Sequence, residues 1–110
     1  MLIVIFEVCI KTGKTADYLN WAQQLLSELE HIDGFVSIER FQSLSTPEKI
    51  LSMSLWRDEA AIHQWRENTQ HQAAQHAGQA EIFARYHIRV TELIREYGFT
   101  AQPAKPTNPL

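Results

Sequence analysis

Hydrophobic and polar positions along the chain alternate between a two-residue and a helical period, and the changes of period mark out the elements. Leu2 to Ile10 is short and rich in β-branched residues, which predicts a strand. Leu2, Val4, Phe6, Val8 and Ile10 fall on one side of it; Ile3, Ile5, Glu7 and Cys9 fall on the other. Both sides are largely apolar, so both should be covered. A turn around Gly13 follows. Thr15 is the expected N-cap of the next helix and Asp17 suits its first turn. Tyr18, Ala22, Leu25, Leu29 and Ile32 then recur at helical spacing, widened by Trp21 and Leu26. Asp33-Gly34 ends that run, with Gly34 free to take a positive φ.

Phe35 to Ser43 reads as a second strand, with Val36, Ile38 and Arg40 on one side and Phe35 and Phe41 on the other. After a hairpin-type loop around Pro47, Lys49 to Trp56 alternates Leu51, Met53, Leu55 with Ser52, Ser54, Trp56. Asp58 is the expected cap of a second helix carrying Ala61, Ile62 and Trp65. That helix should break and restart at Asn68 or Thr69, and Ala73, Ala74, Ala77 and Ala80 let the second piece pack closely. Phe83 to Tyr97 reads as a long last strand, with Tyr86, Ile88, Val90 and Ile94 on one side. The Pro-containing stretch from Ala101 to Leu110 should be a flexible or polyproline-like tail.

The order β-α-β-β-α-β is the split β-α-β, ferredoxin-like arrangement of an α+β domain. Two helices cover one face of a four-stranded sheet. The first strand needs both faces covered, so a homodimer packing sheet against sheet is expected. A chain of 110 residues is one domain with a limited core, and a second copy would extend its burial.

Composition narrows the partners. The net charge of −3 argues against nucleic acid or an anionic membrane surface as the main partner. Cys9 is the only cysteine, so no intrachain disulfide forms, and a cytoplasmic setting suits it. No apolar run reaches membrane-spanning length. The apolar start, interrupted by Glu7, lacks a positive leader and a cleavage site and reads as a strand.

The candidate chemistry centres on Leu51 to Gln75. The Trp65 ring can stack on a flat aromatic molecule while its N–H meets an oxygen; packing in the core is the ordinary alternative. Trp56, at the end of its strand, reads first as core and second as a pocket wall. His71 is a candidate general base for a phenolic proton, or a helix-packing histidine. Glu7 lies within an apolar strand, so it must face water, a partner or a cavity. It is either a base with a raised pKa or the ion-pair partner of an arginine such as Arg40 or Arg89. Arg40, Arg85, Arg89 and Arg95 either bind an anionic substrate or pair with carboxylates. No two of the five histidines have the i, i+4 spacing of a helical metal site, so no metal is expected. No Gly-rich phosphate loop, nucleophile elbow, flavin or nicotinamide fingerprint is present.

Taken in order, GFVSIERFQS (Gly34 to Ser43), LSMSLWRDEAAIHQWR (Leu51 to Arg66), His71 with Gln75, and IREYG (Ile94 to Gly98) resemble the antibiotic biosynthesis monooxygenase domain family. The resemblance covers residues 1–98 and leaves 99–110 as the tail. It implies a dimeric α+β barrel with a pocket between sheet and helices in each subunit. It also implies a cofactor-independent monooxygenase that oxidises a small aromatic phenol or hydroquinone with O2. On that reading His71, Trp65 and Glu7 are the catalytic candidates, and Trp56, Phe6, Arg40 and Tyr86 the substrate-binding ones. The family's haem-degrading branch is similar at Trp65. It departs at Phe6 or Glu7, where that branch has asparagine, and at Gln75, where it has the axial histidine; no cofactor is therefore expected, and a haem-binding or haem-degrading protein is the disfavoured third reading. A non-catalytic dimer binding a small aromatic ligand, in a stress-response role, is the alternative.

Overall fold

The computed structural model describes residues 1–101. Its elements are β1 (Leu2–Ile10), α1 (Thr15–Glu30), β2 (Phe35–Gln42), β3 (Lys49–Trp56), α2 (Glu59–Arg66), α3 (Thr69–Ala77), a π-helical turn (Gly78–Ile82) and β4 (Phe83–Glu92). The four strands form one antiparallel sheet in the order β2-β3-β1-β4. Each crossover carries its helices over the same face, and the result is the ferredoxin-like α+β fold. The expected proline-containing tail lies almost wholly outside the described residues.

Several local expectations are corrected. Lys14, not Thr15, occupies the N-cap of α1, and no side chain caps that end. Strand β4 stops at Glu92 rather than Tyr97. Among the described residues its only neighbour is β1, whose pairing ends with Leu2 opposite Glu92, apart from one further bond from Leu93 N–H to Met1 C=O. Beyond that point the segment has no strand to pair with among the described residues. In β2, a register shift between Phe35 and Ser37 turns Phe35 to the helix side. There its ring meets Trp56 edge-on at 5.3 Å, and Val36 is left exposed.

The helix-covered face of the sheet decides where the cavity forms. On β3 that face reads Ile50, Ser52, Ser54, Trp56, all buried, and Leu51, Met53 and Leu55 go to the open face. The core accordingly falls into two clusters. One contains Val8, Ile10, Tyr18, Ile50 and Ile82. The other contains Leu29, Trp56, Ala61 and Ile62. The two serines lie between them, where larger apolar side chains would fill the gap.

Candidate functional site

Between the two clusters lies a cavity of about 460 Å³. Val4, Phe6, Ser52 and Ser54 belong to its sheet side, Tyr18, Trp21 and Ala22 to α1, and Trp65, His71 and Gln75 to α2 and α3. Small residues at Ala22, Ser52, Ser54 and Ala74 leave the volume open.

The helical wall is held by caps and ion pairs. Asp58 caps α2, accepting from the Ala61 N–H at 3.0 Å. Arg57 donates to both Asp33 oxygens at 3.1 Å and to Asp58 at 3.0 Å, tying the start of α2 to the end of α1. The Ala61 N–H and then Arg57 hold the Asp58 carboxyl below its usual range, and Arg57 does the same for Asp33. Gly34 sits beneath this corner at φ 96°. A Cβ there would lie 2.8 Å from the Ala61 methyl, so both conformation and space require glycine.

The break between α2 and α3 assembles the reactive corner. Six residues separate Trp65 from His71, which on one continuous helix would place them about 120° apart around the axis. Asn68 ends that continuity. Its Oδ1 accepts from the His71 N–H at 2.9 Å, and its Nδ2 donates to Glu28 Oε2 at 3.3 Å. Restarted there, α3 lays the imidazole against the indole, with centroids 4.6 Å apart and planes at 37°. Gln75, one turn on, brings its side-chain nitrogen 3.5 Å from His71 Nε2. His71 Nδ1 is buried without a hydrogen-bond partner among the described residues. Burial, and secondarily the Arg66 charge, push the His71 pKa below its ordinary 6.5. Both favour the neutral ring, which has a nitrogen free to accept a proton.

The remaining candidates divide between the two faces of the sheet. Phe6, Arg40 and Trp56 line the cavity with Trp65 and His71. Trp56 does so through its ring alone, because its N–H is used by Ser54 Oγ at 2.8 Å. Tyr86 shares the Phe6 side of the sheet but lies outside the cavity lining. It packs on Phe6 and Phe83 at 5.7 and 5.8 Å, and its hydroxyl accepts from Gln79 at 3.0 Å. Glu7 is on the opposite, open face. Lys49 and Arg89 both pair with it, the latter at 3.2 Å, and together they hold its carboxyl below the ordinary range, the Lys49 hydrogen bond most. Arg40 is not its partner, being on the other side of the sheet. A lowered pKa makes Glu7 a weak base, contrary to the raised value expected for a catalytic role.

The model of the antibiotic biosynthesis monooxygenase family matches residues 1–77. The chain belongs to that family. Over 93 residues it is 41% identical to Jasmonate monooxygenase ABM of Pyricularia oryzae, covering 84% of this chain and 43% of that protein. The chain thus spans less than half of that relative's length. It is 28% identical to the uncharacterised Bacillus subtilis protein YqjZ, covering 84% of this chain and 79% of that one. A solved family structure from Deinococcus radiodurans superposes with a TM-score of 0.80 at 16% identity, covering 92% of this chain and all of that one; this likeness concerns the fold.

Within this family member, sequence reasoning passed over Tyr18 and Ser52, both at the cavity. The Tyr18 signal was its place one turn before Ala22 on the apolar stripe of α1. The Ser52 signal was its alternation with Leu and Met, which marks a side of β3 too polar for plain core. Gln75, where the haem-degrading branch is expected to have its histidine, carries an amide, and His71 is stacked on Trp65.

Proposed function

We propose that the protein is a cytoplasmic, cofactor-independent monooxygenase acting on a small aromatic phenol or hydroquinone with O2. Phenol and O2 give quinone and water, so the substrate itself supplies the electrons. The observation that carries this reading is the Trp65–His71 pair on the wall of a mostly apolar cavity. A neutral His71 takes the phenolic proton, and the resulting phenolate is the electron donor to O2. Trp65 stacks on the ring and, with Phe6 and Trp56, keeps water from the reacting carbon.

We further propose that the working form is a homodimer. The open face of the sheet presents Ile3, Ile5, Leu51, Met53 and Leu55 flanked by Glu7, Lys49 and Arg89. Beyond β4, Ile94, Tyr97 and Phe99 are 83%, 86% and 91% exposed. A second copy would bury this apolar band. Light scattering on the purified protein tests it, with Met53→Arg expected to give monomers.

The 41% identity to a jasmonate monooxygenase favours a second reading, in which the oxidised compound is a non-aromatic oxylipin of the jasmonate type and a separate two-electron donor, such as a reduced nicotinamide or flavin, supplies the electrons that form water from the second oxygen atom. One assay separates the two: oxygen uptake with a panel of reduced phenols and hydroquinones, and with jasmonate plus a reduced nicotinamide or flavin as electron donor, run beside a Trp65→Phe/His71→Ala double variant. Uptake above autoxidation with a phenol, lost in the variant, supports the first reading. Uptake with jasmonate alone supports the second. Saturable tryptophan quenching with no uptake leaves a binding module.

A further inference from the structure

The cavity has a second polar group besides Trp65 and His71. Arg40 on β2 stands directly across from Ser52 on β3, and both line the cavity. The Arg40 Nε–H donates to Tyr18 Oη at 3.4 Å. That bond uses one of the five N–H groups of the guanidinium. The ion pairs among the described residues all lie elsewhere, on Lys14, Lys49, Arg57 and Arg89. Arg40 is thus a half-buried cation facing an apolar cavity with no carboxylate beside it, an arrangement that favours an anionic occupant. The Tyr18 hydroxyl, while accepting from Arg40, keeps its own proton to donate, and the buried Ser52 hydroxyl adds another donor. One fixed cation and two neutral donors suit a carboxylate.

Distance sets the shape of that occupant. Ser52 and Trp56 are four residues apart on β3, roughly 13 Å along the strand. Trp56 shares its hydrophobic cluster with Trp65, and Trp65 carries His71. The Arg40–Ser52 group is thus offset along β3 from the end where Trp56 packs with Trp65.

We propose that Arg40, Ser52 and Tyr18 form a carboxylate subsite, and that the natural ligand is an elongated monoanion. Its acid group sits at Arg40 and its apolar, flat body reaches the Trp65–His71 corner. This deepens the oxygenase reading by naming the substrate class, and it takes from that reading only the place where oxidation occurs. Arg40 binds and orients the ligand and performs no chemistry itself.

Equilibrium binding tests the subsite without turnover. The probes are 1-pyrenebutyrate and its methyl ester, which share a flat apolar body and differ in the charge of one end. Binding is followed by quenching of tryptophan fluorescence at pH 7. The expected result is at least a tenfold preference for the acid in the wild-type protein. Arg40→Met is expected to remove that preference while leaving ester affinity unchanged. Arg40→Lys should keep part of it, because the charge remains and the planar fork is lost. Unchanged ester affinity doubles as the check that Arg40→Met is folded. Equal binding of acid and ester by the wild type, or an undiminished preference in Arg40→Met, would overturn the subsite. Acid preference without oxygen uptake on any substrate would keep the subsite and remove the oxygenase; uptake on phenols without acid preference would do the reverse.

Discussion

Trp56 donates its indole N–H to Ser54 Oγ at 2.8 Å, two residues back on the same side of the same strand. The bond is buried, and it fixes the ring that closes one end of the cavity. Ser54→Ala leaves the indole N–H unsatisfied and should lower stability by about 1–3 kcal/mol. Urea unfolding followed by tryptophan fluorescence measures it. A change within error of zero would mean that Trp56 is held by packing alone.

His71 titrates below the ordinary histidine value of 6.5, through burial first and the Arg66 charge second. In the window between its folded pKa and 6.5, the unfolded chain binds more protons than the folded one. His71 therefore takes stability away as pH falls below 6.5, until the folded pKa is passed, and has no such effect above 6.5. NMR titration of the imidazole should give a midpoint below 6.5. His71→Gln should flatten the loss of stability between pH 6.5 and that midpoint. A midpoint at or above 6.5 would contradict the buried, neutral ring.

Glu7→Gln should leave turnover of an accepted substrate unchanged, because the carboxylate is across the sheet from the cavity. It should weaken the open face, since Lys49 and Arg89 would then face each other with no anion between them. A lower melting temperature at low salt, recovering as salt screens the two cations, is the expected signature. Loss of turnover in a folded Glu7→Gln protein that keeps the wild-type oligomeric state would restore Glu7 as a catalytic candidate.

Gly78 lies at the junction of α3 and the π-helical turn. A Cβ there would overlap the ring of Phe83, which packs on the first core cluster. Gly78→Ala should therefore destabilise by about 1–3 kcal/mol through overpacking. Gly13→Ala makes the contrast. Nothing would touch its Cβ, so its cost is confined to the positive φ of 81°. Chemical denaturation of the pair separates crowding from backbone strain.

The fold was legible because each element keeps its period: the alternation of Leu2 to Ile10, the helical stripe from Tyr18 to Leu29, the Asp58 cap, the break at Asn68. The cavity was legible in part. Phe6, Arg40, Trp56, Trp65 and His71 meet there, although they come from five different elements. What the sequence hid are events that depend on a neighbour. The register shift before Ser37 becomes visible only when β2 is paired with β3. The end of β4 is set by how far β1 runs beside it. The side of β3 that the helices cover is the one with serines, opposite to what hydrophobicity alone would choose. Ser52 and Ser54 give up burial of apolar surface so that the space above them stays open. The Glu7–Arg89 ion pair was among the expectations, but the face on which Glu7 lies was not legible: with both sides of β1 apolar, nothing within the strand says which one the helices take.

A core divided in two by a cavity also makes the protein's melting temperature a gauge of what it binds. The clusters around Val8 and around Leu29 have no buried residue in common, and an occupant touching both would join them. A ligand present at a hundred times its dissociation constant raises folding stability by about 2.7 kcal/mol. In a chain of this size that is a shift of many degrees. A library of small acids and phenols can therefore be ranked by heating the protein with each, before any reaction has been observed.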